Sequence, residues 1–182
     1  MALDLQRTFG EALLASGPAL EYADRLALYG QFVGDWTTRT RAFAGDSDAV
    51  EETEWDVRFD WVLEGRAIQD VWITPPRRHR RPGWHEPGNR YSTTLRLYDP
   101  QLDAWHILWA NPPNGVILRQ LARQVGDDIV QDTVGESGDL RTRWVYREIT
   151  SASFRWCNEV SSDGGASWTL VQEMRARRTR AA

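Results

Sequence analysis

The chain contains no lysine; all 22 of its basic residues are arginine. It has one cysteine, Cys157, and three histidines, His79, His85 and His106, among 182 residues. A lone cysteine excludes an internal disulfide and fits a reducing, cytoplasmic location. No apolar run approaches the ~20 residues of a membrane helix. The N-terminal stretch carries Asp4 and Glu11 and makes a poor signal peptide, so no membrane partner is expected. His79 and His85-Glu86 share one loop without cysteines or carboxylates at zinc spacing, so no metal is expected. A net charge of -4 and a pI near 5.4 argue against nucleic-acid binding. Neither a Gly-rich phosphate loop, a Gly-x-Ser-x-Gly elbow nor a Cys–His pair is present.

What the chain has is tryptophan, at 10 positions. Burying one such ring removes roughly 150–250 Å² from water, so these residues can serve packing alone. At 182 residues with 26% charged residues, the composition is that of one globular domain. Residues 1–30 read as short helices that cap the rest of the domain. Leu5, Phe9 and Leu13 form an apolar stripe, Ser16-Gly17-Pro18 breaks it, and Gly30 suits a C-cap after Leu26-Ala27.

From residue 31 to 182 the period changes to two. Thr53, Trp55, Val57, Phe59 and Trp61 alternate with Glu52, Glu54, Asp56, Arg58 and Asp60, giving one apolar and one charged face. Further strands are predicted at Trp36–Ala44, Ala67–Thr74, Tyr91–Tyr98, Ala104–Ala110, Val116–Arg123, Asp128–Val134, Arg141–Ile149, Ser153–Val160 and Trp168–Arg177. Short connectors such as Gly45-Asp46-Ser47-Asp48 and Ser162-Asp163-Gly164-Gly165 force neighbours antiparallel. The expectation is a mainly β protein: a single antiparallel up-and-down β-barrel of about ten strands, closed so that no edge is exposed. A barrel wider than about eight strands does not always fill itself, so a cavity is expected. The connector Pro75–Arg90 holds five arginines and Trp84. It reads either as a solvated loop or as a flap over the barrel mouth, with Trp84 stacking on a ligand.

The pieces FVGDW, VLEGRAIQDVWI, TTLRLYDPQLDAW, WANP at Trp109, SFRW, SSDGGASW and EMRARR together resemble a bacterial calycin-like family, the DUF1579 type. The likeness covers nearly everything after residue 30, and it implies a barrel with a cavity rather than a reaction. In calycins generally, a Gly-x-Trp opening, here Gly34 and Trp36, is covered by an arginine of the last strand. Arg175, Arg177 and Arg178 are the residues available for that structural cation–π contact. The related nitrobindins bind haem through a late-strand histidine. This chain has none after His106, leaving Cys157 or Tyr146 as substitutes, so no haem or other cofactor is expected.

Alternation places Gln69 and Asp70 on opposite faces, one of them inward. An inward carboxylate in an apolar barrel is a candidate acid or base, or else a partner for Arg66 or Arg96. His106 is the second catalytic candidate, although inward Trp105 and Trp109 would turn it outward. Tyr146, Asn158 and Gln172 share parity with Trp144, Trp156 and Trp168, the mix of polar and aromatic groups a pocket uses. The candidate ligand-binding residues are Trp55, Phe59, Trp61, Gln69, Trp72 and Trp84, with Arg96, Trp109, Tyr146, Trp156, Asn158 and Gln172. Three functions fit: binding a small hydrophobic or aromatic molecule, a cyclase or isomerase working by substrate positioning, or a filled barrel that interacts through its surface. The third would include a homodimer with Phe43 at the contact.

Overall fold

The computed structural model describes residues 8–43, 51–80, 89–136 and 138–181. Two short helices, α1 (Phe9–Leu13) and α2 (Ala23–Gly30), precede ten strands. These are β1 (Gly34–Ala42), β2 (Glu51–Val62), β3 (Ala67–Thr74), β4 (Arg90–Asp99) and β5 (Ala104–Asn111), then β6 (Val116–Val125), β7 (Asp128–Thr133), β8 (Arg141–Arg147), β9 (Ser153–Ser161) and β10 (Thr169–Ala181). Every strand pairs antiparallel with its sequence neighbours, and β1 pairs with β10 to close the barrel. The predicted strands are all present, shifted by a few residues at their ends. The expected turn at residues 45–48 lies outside the described residues.

Period-two patterning decides which way each strand faces. Trp36, Thr38 and Thr40 of β1 and Trp55, Val57 and Phe59 of β2 are buried on the inner face. The charged alternates, Arg39, Arg41, Glu52 and Arg58, are exposed. Glycine is needed at the entrance to β1, where Gly34 has φ 125°. Gly30 is required for a different reason from the expected C-cap. The indole of Trp61 stands where its Cβ would be, 2.5 Å away, so the helix can meet the barrel only without a side chain there. The N-terminal apolar stripe is also corrected: α1 buries no residue and Phe9 is 82% exposed, while Leu5 lies outside the described residues. α1 is held instead by its Thr8–Glu11 capping box, and the chain after it joins β2 through backbone bonds from Ala15 N to Trp61 O and from Leu63 N to Leu13 O.

α2 and the turn after it close one end of the barrel with Leu26, Tyr29 and Phe32, all at most 1% exposed. Trp36 lies above them and donates its indole N–H to the carbonyl of Phe32 at 2.7 Å. The arginine over this ring is Arg178, with its guanidinium carbon 4.1 Å from the ring centroid. Arg175 and Arg177, the other two arginines available for this role, do not take it. Met174, Ala176 and Arg178 alternate on the inner face of β10, which turns Arg175 and Arg177 outward, where both are exposed. Arg175 makes long ion contacts with Glu148 and Glu173 instead.

Candidate ligand-binding cavity

Midway up the barrel, β3 and β4 bring Asp70 and Arg96 together inside it. Arg96 Nη1 and Asp70 Oδ2 are 2.6 Å apart, and neither side chain exceeds 1% exposure. The contact is close but not aligned as a hydrogen bond. The other Asp70 oxygen accepts from the Thr94 N–H at 2.8 Å. Arg96 Nη2 donates to the Tyr146 hydroxyl at 3.0 Å. The guanidinium carbon sits 5.1 Å from the ring centroids of both Tyr29 and Phe59. Burial opposes the charge on Arg96, but Asp70 and the two tyrosines more than restore it, and its pKa is raised. Burial pushes the Tyr146 hydroxyl up to about 12, with Arg96 opposing, and raises Tyr29 further still.

These tyrosine shifts give a signed prediction. A folded pKa above the unfolded value contributes stability that is whole below pH 10 and is lost as pH rises toward the folded value. Stability should therefore fall by about 1.4 kcal/mol per pH unit per buried tyrosine above pH 10. Urea unfolding at a series of pH values measures it. Tyr146→Phe should flatten the slope by about one tyrosine's share; an unchanged slope would refute the assignment.

Above this floor, toward the end of the barrel that includes Thr74, Arg90 and Asn111, lies a cavity of about 330 Å³. Its aromatic walls are Trp55, Trp72, Trp109, Trp144 and Trp156, drawn from five strands. Trp109, Trp144 and Trp156 form a run of edge contacts at 5.5 and 5.2 Å between centroids, so rings from β5, β8 and β9 meet across the lumen. Between them stand Ser92, Thr94, Asn111, Asn158 and Gln172. None of these side chains hydrogen-bonds to another described residue, and the buried Oδ1 atoms of Asn111 and Asn158 lack partners. Buried polar atoms normally find one, and both of these oxygens belong to residues of the cavity wall.

The candidates divide by height and face. Trp55, Trp72, Trp109, Tyr146, Trp156, Asn158 and Gln172 line the cavity. Phe59 and Arg96 lie beneath it in the packed floor, and Trp61 is used at the closed end against Gly30. Gln69 faces outward and donates to Thr93 Oγ1 at 2.9 Å. Trp84 and the His85-Glu86 pair lie outside the described residues. Of the two catalytic candidates, Asp70 does point inward, but it is shut under the floor by Arg96. His106 is on the outer surface, 2.9 Å from Asp99, because Trp105 and Ile107 take the inner face of β5. Neither borders the cavity. Ser92, Thr94 and Asn111 were missed, although parity marks them: Ser92 and Thr94 pair with inward Trp72 and Asp70, and Asn111 follows Trp105 and Trp109.

Neither Cys157 nor Tyr146, the two substitutes for the late-strand haem histidine of the nitrobindins, is set up as an axial ligand. Cys157 is buried on the outer face, among Arg147, Arg155, Glu159 and Glu173, and burial pushes its thiol pKa up. The Tyr146 hydroxyl is held by Arg96, and its raised pKa opposes the phenolate a metal would need. Among the described residues no group of three His, Cys, Asp or Glu could hold a metal ion.

No family model matches the chain, and no curated protein sequence matches it. Solved structures do. Rv2717c from M. tuberculosis matches with a TM-score of 0.57 at 14% identity, over 87% of this chain and 99% of the other. The S-type phycobiliprotein lyase CPES from Guillardia theta matches with a TM-score of 0.55 at 12% identity, over 91% of this chain and 100% of the other. Identities this low show the fold and nothing finer. The chain is a closed ten-stranded antiparallel barrel that fits a calycin-like fold. Its interior is rich in aromatic side chains.

Proposed function

We propose that the protein binds a small hydrophobic or aromatic molecule in this cavity. One observation carries the reading: five tryptophans surround about 330 Å³, and the buried Oδ1 atoms of Asn111 and Asn158 in its wall have no hydrogen-bond partner among the described residues. The rings supply apolar contact area and edge or face interactions, and Asn111, Asn158 and Gln172 fix orientation. A volume of this size lies at the lower end of the range used by small-molecule sites. The ring-lined half of the barrel also distinguishes this reading from a barrel filled throughout, since packing is closed only below Arg96. The DUF1579-type resemblance agrees with a cavity-bearing barrel and adds no ligand.

The test is a fluorescence titration with phenylnaphthylamine, a neutral aromatic probe that brightens on leaving water. Saturable, equimolar binding is expected, with energy transfer from the protein's tryptophans. Trp109→Ala should weaken binding roughly tenfold, because Trp109 contributes ring contact while remaining half-buried, so the fold loses less than at a core position. Binding that never saturates, or that ignores Trp109→Ala, would sink the proposal.

A further inference from the structure

Arg90 is the only charged residue among the described residues that line the cavity. It stands at the rim, at the first position of β4, paired with Thr74 at the end of β3. A second arginine fixes it there. Arg80 Nη2 donates to the carbonyls of Thr74 at 2.8 Å and Arg90 at 3.1 Å, while its Nε donates to Pro75 O at 2.8 Å. Arg77 and Arg78, on the same side, are engaged with Asp56, Glu54 and Tyr91. The guanidinium of Arg90 makes no hydrogen bond or ion pair with any described residue.

An exposed guanidinium costs nothing while water solvates it. That changes when a ring system seats beside Trp72, whose cross-strand partner Ser92 is two residues from Arg90. A neutral occupant would strip water from the cation and return nothing. An anionic occupant would replace that water with charge-assisted hydrogen bonds, which a guanidinium delivers in pairs. No carboxylate borders the cavity among the described residues, so none of the described wall residues opposes an anion. Discrimination therefore comes from both sides, a gain for the anion and a penalty for its neutral analogue.

We infer that the cavity selects planar aromatic molecules carrying an anionic group, with the rings among Trp55, Trp72 and Trp109 and the anion on the Arg90 guanidinium. The inference rests on the cavity-binding reading above. The test compares two probes sharing one ring system, anilinonaphthalene sulfonate and neutral phenylnaphthylamine, on the full chain. The wild type should bind the sulfonate about tenfold or more tightly than the neutral probe. Arg90→Gln should erase that preference by weakening the sulfonate alone, and Arg90→Lys should restore part of it. Arg39→Gln, on the outer face, should change neither affinity and excludes binding to surface arginines. A ratio unchanged by Arg90→Gln, or lost in Arg39→Gln instead, overturns the inference while leaving the cavity reading standing. Failure of both probes to bind overturns the two together.

Discussion

Asp70→Ala should destabilise the protein by about 3–5 kcal/mol, read as a shift in the urea unfolding curve. The cause is the partner left behind rather than the carboxylate removed. Arg96 would remain 1% exposed, with one hydrogen bond to Tyr146 and two aromatic rings against its faces. Neither rings nor a hydroxyl replace a full negative charge at 2.6 Å. Asp70→Asn keeps the volume and the bond from Thr94 but not the charge, and should fall in the same range. Removing both charges, as Asp70→Leu with Arg96→Met, should cost clearly less than Asp70→Ala alone, because a buried pair is worth little over apolar packing while an orphaned ion is expensive. A loss under about 1 kcal/mol for Asp70→Ala would mean that water reaches Arg96 from above, and that the cavity has no closed floor.

That ion pair also shows where the sequence was readable and where it was not. Alternation along IQDVW required one of Gln69 and Asp70 to face inward, and Arg66 and Arg96 were both available as partners. Alternation left two registers for β5, and the preference of Trp105 and Trp109 for burial favoured His106 on the outside. Height along the barrel was not legible, because period two reports a face and says nothing of depth. Hence Trp61 and Phe59 share parity with Trp55, yet only Trp55 borders the cavity; the others pack against α2 and the floor. Arg178 was one of three neighbouring arginines, and the choice depended on register that includes a bulge at Asp35/Trp36 and another at Leu170/Gln172. A bulge shifts pairing by one residue, and no composition signal marked either. Arg90 was visible as a charge in a basic loop, whereas its place at the rim depends on the Arg80 clamp, a contact between side chain and backbone.

Trp36→Ala should have the second large effect, again about 3–5 kcal/mol. Its ring is 1% exposed, contacts Phe154 at 4.8 Å between centroids, and is capped by Arg178. Arg178 is itself fastened to three backbone carbonyls, of Gln31, Val33 and Ser151, at 2.6 to 2.7 Å. Removing the indole therefore opens a cavity and leaves a partly buried cation without its ring. A double-mutant cycle with Arg178→Ala should give a coupling of about 0.5–2 kcal/mol for the cation–π pair. The closed end and the cavity are separated by the Arg96 floor, so the two should act independently. At temperatures where Trp36→Ala is folded, its affinity for phenylnaphthylamine should stay within about twofold of wild type. Loss of binding in folded Trp36→Ala would show that the plug sets the shape of the Trp-lined walls, and the division of the barrel into a structural half and a binding half would have to be given up.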